Sequence, residues 1–232
     1  MIAKLGLIVS DLCQVEEDVK SLPEVTVDTP HGLVTVKIGP KWAVICRSGL
    51  ADGAYALPHE YNTAGHLAAF KQLGLEEVVG VHSSGSLRPS LAPGVLIIPD
   101  DWINFTSPPL TTISGQRRHL TPSFSKKVRQ RLVDASWKAQ LRFENGGVYW
   151  QSPGPRLETK AEIKVMSNFA DIVGMGLADE ANLAQEFDLE YGAVCSVDNY
   201  AHGLGLVLTD EVIRDHSIRS VDVISHLLAA FE

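Results

Sequence analysis

The sequence predicts an α/β fold in one domain spanning residues 1–232, and three observations carry that expectation. Short apolar runs bounded by Gly and Pro recur along the chain and alternate with longer stretches of helical period. The composition, 45% hydrophobic and 21% charged with 19 Gly and 12 Pro, is that of a globular protein with a buried core. A length of 232 residues fits a single core of this type, and no linker, low-complexity segment or internal repeat interrupts it.

Each element follows from a local pattern. The run Leu5-Gly6-Leu7-Ile8-Val9 reads as the first buried strand, and further strands are expected at 33–38, 42–46, 77–82, 95–99, 147–150, 171–174 and 191–197. A helix over 61–73 places Ala64, Leu67, Ala68 and Lys71 at helical spacing and stops at Gly74, which suits a C-cap. The helix at 159–168 follows a Pro-rich turn and carries Ile163 and Met166 on one side. The helix at 177–187 sets Leu183 and Ala184 beside acidic residues, and a last helix at 210–231 closes the fold.

In open α/β sheets ligands bind at strand C-terminal ends, so the segments 82–87, 151–159 and 196–201 are the places to look for chemistry. The small residues Ser83 to Ser86 let backbone N–H groups approach an anion, although such a run also serves as a plain tight connection. Arg47 ends an apolar strand, where its guanidinium either faces an anion or makes an ordinary salt bridge. Glu158 precedes a helix and either accepts from ligand N–H groups or caps the helix; Glu162 reads as its solvated neighbour. Asp198-Asn199 ends a strand and offers donors and acceptors to a heterocycle edge, or forms a turn.

Several functions are excluded. The net charge is −8, and no basic tract exceeds the pairs Lys126-Lys127 and Arg117-Arg118, so no nucleic-acid-binding face is expected. No apolar run approaches the roughly 20 residues of a membrane helix, and no signal-peptide architecture follows Met1, so no membrane association is expected. Cys13, Cys46 and Cys195 are odd in number and far apart. They point to neither a disulfide framework nor a zinc site, and to a reducing cytoplasm. His59, His66 and His82 lack the i, i+4 spacing of a helical metal pair, so no metal is expected.

Taken in order, these pieces resemble the trimeric purine nucleoside phosphorylase and methylthioadenosine phosphorylase family over nearly the whole chain. Val27-Asp28-Thr29-Pro30-His31-Gly32 is similar to its "DTPxG" hairpin and Pro58-His59-Glu60-Tyr61-Asn62 to its "PHxxNY" helix entry. Gly85-Ser86-Leu87-Arg88 with Gly94 to Asp100 is similar to its "GSLR…GDLVVPD" block. Gly154-Pro155-Arg156-Leu157-Glu158-Thr159 resembles "GPRFET", Val173-Gly174-Met175-Gly176 resembles "VGMT", and Ala178-Asp179-Glu180-Ala181 resembles "VPEA".

The resemblance implies a mixed central sheet flanked by helices, and displacement of a purine from ribose C1′ by phosphate, which is a co-substrate rather than a cofactor. Asn199 matches the residue facing purine N7 and the 6-substituent, and Glu158 the carboxylate that takes N1–H of 6-oxopurines; Asp198 is the alternative proton source if it faces N7. Arg47, the Ser83 N–H and the Ser10 hydroxyl would hold phosphate. Met175 would lie under the ribose, and Leu157, Ser84 and His59 would complete the ribose and base side. The resemblance also implies a homotrimer, with 102–105 as the candidate contact. Three departures fall on the phosphate subsite: Ile8-Val9-Ser10-Asp11-Leu12 in place of a glycine-rich turn, Ser48 in place of His, and Gly176 in place of Ser or Thr. They keep two alternatives open, a nucleoside hydrolase and a purine-binding homologue without turnover; the apolar, glycine-rich stretch 201–208, which suits a methylthio group or a flexible lid, keeps open a methylthioadenosine or methylthioinosine phosphorylase.

Overall fold

The structure is a computed structural model that describes residues 5–10, 17–49, 55–106, 110–113, 119–205 and 208–231; at 17, 18, 210–214 and 216–219 it describes the backbone alone. Asp11, Cys13, Arg117, Arg118, Leu206 and Val207 lie outside the described residues. The strands are β1 (Leu5–Val9), β2 (Glu24–Thr29), β3 (Gly32–Ile38), β4 (Trp42–Cys46), β5 (Glu77–Ser86), β6 (Leu96–Ile98), β7 (Asp101–Asn104), β8 (Phe143–Asn145), β9 (Val148–Gln151), β10 (Ile172–Gly174) and β11 (Glu190–Tyr200). The helices are α1 (Glu17–Lys20), α2 (Thr63–Gln72), α3 (Lys126–Lys138), α4 (Lys160–Met166), α5 (Leu177–Glu186) and α6 (Asp210–Ala230), with a 3-10 turn at Pro58–Glu60.

All the strands join one mixed sheet, flanked by helices as expected. Strand β1 runs parallel to β4 and β5, and β11 runs parallel to β5 along its whole length. The outer hairpin of β2 and β3 is antiparallel. The pleat of β1 sorts the core: Ile8 packs with Leu67 and Phe70 of α2 and Leu177 and Ala181 of α5 on one face. Leu7 and Val9 pack with Val128 and Leu132 of α3 and Ile224 and Leu227 of α6 on the other.

One edge of β5 changes partner midway, and this creates the opening that matters. Up to Gly80 that edge pairs with β1, and from Gly85 it pairs with β10. Between these points β1 and β10 diverge, so the ends of both strands and the stretch 81–84 border an open space at the heart of the sheet.

The helix boundaries have local causes. Asn62 Oδ1 accepts the Gly65 N–H at the start of α2, and Gly74 takes φ +75 past its end. Ser125 caps α3, an amphipathic helix that the sequence reading missed. The segments 82–87 and 196–201 were expected as loops after strands; most of each is strand, because β5 and β11 continue pairing to Ser86 and Tyr200.

Cys46 is disulfide-bonded, which corrects the expectation that separation in sequence would keep the cysteines unlinked. The parallel register pairs Cys46 with Val9 and so returns sequence-distant chain to this residue. Cys195 is free and buried.

Candidate active site

The fork between β1 and β10 holds a cavity of about 460 Å³. Arg47, Ser10, Ser83, Ser84, Asn199, Glu158, Leu157 and Met175, all expected from the sequence as ligand-facing, line this one space. Two expected residues do not join it. His59 sits half exposed on the 3-10 turn and does not line the cavity. Asp198 faces a second, smaller cavity, where its carboxylate accepts hydrogen bonds from the Ser83 and Ser220 hydroxyls. The cause is a register shift between Val197 and Asn199, which inserts Asp198 as an extra residue in β11 and leaves Asn199 to face the ligand space.

The anion end is built around Arg47, which is buried. Its Nε donates to Glu180 Oε1 at 2.5 Å, and Nη1 donates to Ser10 Oγ and the Val81 carbonyl, each at 3.0 Å. Its Nη2 faces the Ile8 carbonyl at 3.4 Å and His82 Nε2 at 3.3 Å. Four of the five guanidinium N–H groups therefore meet a protein oxygen, and the fifth faces the His82 ring. Tyr191 donates to Glu180 Oε2 at 2.8 Å and lies 3.0 Å from His82 Nε2, closing a buried quartet. Gly80 makes room for it: a Cβ there would overlap the Tyr191 hydroxyl and lie 2.7 Å from Glu180 Oε2.

Electrostatics fix the charge states. Burial disfavours charge on Arg47 and Glu180, but their mutual attraction outweighs it, raising the guanidinium pKa and lowering the carboxyl to about 2. Burial, reinforced by the Arg47 charge, pushes His82 down to about 4. Its Nε2 also lies 3.3 Å from Glu180 Oε2, so the guanidinium, the carboxylate and the Tyr191 hydroxyl all meet at this ring nitrogen. Sequence reading missed Glu180, His82 and Tyr191 as a unit, because 133 positions separate Arg47 from Glu180.

The opposite end carries Glu158. It does not cap α4; Thr159 does, with Glu162 completing the capping box and pairing with Arg156. That pairing, with the Thr159 N–H, lowers the Glu162 pKa to about 2. Glu158 is buried instead, and its Oε1 has no hydrogen-bond partner. A buried carboxylate oxygen without a donor, on the wall of a cavity, is the mark of an acceptor awaiting a ligand. Asn199 donates to the Tyr200 carbonyl through Nδ2 at 2.9 Å, which leaves its second N–H and Oδ1 for the cavity. His202 also lines the cavity, and its Nδ1 lies 3.0 Å from the Glu158 carbonyl.

Of the expected contact segment 102–105, Trp102 packs on Phe124 against the core, while Phe105 is 80% exposed beside Trp150. Among the described residues no group of three metal-ligating side chains occurs, and no helix is long and apolar enough to cross a membrane.

Known proteins resemble this chain in sequence and in fold. The family model described as phosphorylase superfamily matches residues 4–231. A probable 6-oxopurine nucleoside phosphorylase of Archaeoglobus fulgidus is 40% identical over 190 residues, covering 80% of this chain and 77% of that protein. The 6-oxopurine nucleoside phosphorylase of Pyrococcus furiosus is 33% identical over 225 residues, covering 89% and 84%. A probable S-methyl-5'-thioinosine phosphorylase of Methanocaldococcus jannaschii is 32% identical over 208 residues, covering 86% and 81%. The fold matches methylthioadenosine phosphorylase from Schistosoma mansoni with a TM-score of 0.87 at 22% identity, over 98% of this chain and 90% of that one. The chain belongs to the phosphorylase superfamily.

Proposed function

We propose that this chain is a purine nucleoside phosphorylase with a preference for 6-oxopurines, using phosphate as co-substrate and no cofactor. The observation that carries the reading is the partnerless Oε1 of buried Glu158, in one cavity with Asn199 and Arg47. A carboxylate accepts from the N1–H of a 6-oxopurine and repels the bare N1 of adenine. In the reaction the C1′–N9 bond breaks with its electron pair moving to the purine, and a phosphate oxygen forms the new bond to C1′. Asn199 offers its free N–H to N7 as negative charge develops on the base, while Glu158 holds the N1–H edge. Met175 gives the sugar an apolar, polarizable wall. The positive charge of Arg47, with the Ser83 N–H and Ser10 hydroxyl, favours the incoming oxyanion. The relatives named for 6-oxopurine nucleosides support the base assignment.

Two variants have observations of their own. Leu57, Pro58 and Leu208 line the same cavity and suit a 5′-methylthio sugar, in line with the relative named for methylthioinosine. The engagement of four Arg47 N–H groups by protein oxygens favours a weak phosphate site, and with it hydrolysis or binding without turnover. We further propose a homotrimer, supported by the exposed Phe105 and by Leu157, exposed on the cavity wall.

The test is steady-state cleavage of inosine, guanosine, adenosine and their 5′-methylthio analogues, with and without phosphate. Phosphate-dependent release of hypoxanthine and guanine supports the main reading. Release of adenine alone overturns the base assignment, and phosphate-independent release of base with free ribose supports the hydrolase.

A further inference from the structure

We propose that His202 reads the purine 2-position, so that the cavity discriminates guanine from hypoxanthine; the inference rests on the purine reading above. The Glu158 carbonyl 3.0 Å from His202 Nδ1 can only accept, so Nδ1 carries the ring proton. In the neutral imidazole Nε2 is then a bare acceptor. Nε2 stands on the far side of the ring from Nδ1, so the bond that anchors Nδ1 to the Glu158 loop keeps Nε2 off that carbonyl. It has no partner among the described residues, and the ring lines the cavity.

A second, independent observation points to a ligand at the same place. Oε1 of Glu158 is buried and unpartnered, and it belongs to the same cavity wall as the His202 ring. Hypoxanthine brings one donor to this edge, its N1–H. Guanine brings three: N1–H and the two N–H groups of the 2-amino substituent. A carboxylate takes N1–H and the nearer amino hydrogen side by side, and the second amino hydrogen needs another acceptor, which His202 Nε2 supplies. His202 is exposed, so the second amino hydrogen of guanine adds a bond that hypoxanthine cannot make rather than sparing a buried orphan.

The experiment is equilibrium dialysis of the whole chain with radiolabelled guanine and hypoxanthine at micromolar concentration, for the natural protein, His202→Ala and His202→Gln. The natural protein is expected to bind guanine about tenfold more tightly than hypoxanthine, and His202→Ala to lose most of that ratio. His202→Gln, whose amide carbonyl restores an acceptor, is expected to recover part of it. An unchanged ratio in His202→Ala, or an equal loss for both bases, overturns the assignment of His202 while leaving the purine reading standing. Failure of both bases to bind the natural protein overturns both.

Discussion

Acidification from about pH 7 to pH 5 is expected to remove roughly 4 kcal/mol of stability, and two buried histidines set the figure. His66 and His82 each titrate at about 4 in the folded protein against 6.5 when unperturbed, through burial first and the neighbouring Arg47 charge besides, with Glu180 opposing. Because the folded pKa lies below the unfolded one, the unfolded chain takes the proton first as pH falls. The stability is fully present above about 6.5 and is lost progressively down to about 4. Integrated from about pH 7 to 5, each histidine accounts for roughly 2 kcal/mol, a large share of a usual total of about 5–15 kcal/mol. Glu180 does not contribute in this window: its stabilisation holds above 4.5 and is lost only as pH falls toward 2. The assay is urea unfolding followed by tryptophan fluorescence at several pH values, in the natural protein and in His66→Leu. This replacement also removes a buried Nδ1 that has no partner. The natural protein is expected to lose about 4 kcal/mol and the variant about 2. Equal losses in the two proteins, or no loss in the natural one, would refute the reasoning.

Three further predictions concern the site. Glu158→Gln replaces a charged acceptor at N1–H with a weaker one and is expected to lower kcat/KM for inosine by about 10- to 150-fold, read from initial rates. Gly80→Ala drives a methyl into the Tyr191 hydroxyl and is expected to cost about 1–3 kcal/mol in urea unfolding and to disturb the Arg47 end. Asp198→Asn weakens acceptance from Ser83 and Ser220 and is expected to cost about 1–2 kcal/mol, while the alkaline limb of the pH–rate profile stays in place; loss of that limb would restore Asp198 as the proton donor.

Much of this site is legible in the sequence, because its wall is assembled from contiguous motifs. Glu158, Leu157 and Met175 sit within short, recognisable blocks, and Asn199 and Arg47 close plainly apolar strands. What the sequence hides is pairing across distance. Nothing near Arg47 announces that Glu180 and Tyr191 would occupy its donors and neighbours. Asp198 and Asn199 look equivalent until the bulge in β11 sends them to different cavities. Strands as short as β7 and β8 carry too few residues for a period to emerge, and they form because β9 and β6 offer them an edge.

The account turns on whether an anion joins the sugar at the Arg47 end while the purine leaves at the Glu158 end. Phosphorus NMR of the protein mixed with inosine and phosphate tests this directly. The account predicts a growing ribose 1-phosphate signal that matches the hypoxanthine released. Hypoxanthine released without any new phosphorus signal, or inosine left intact, would contradict it.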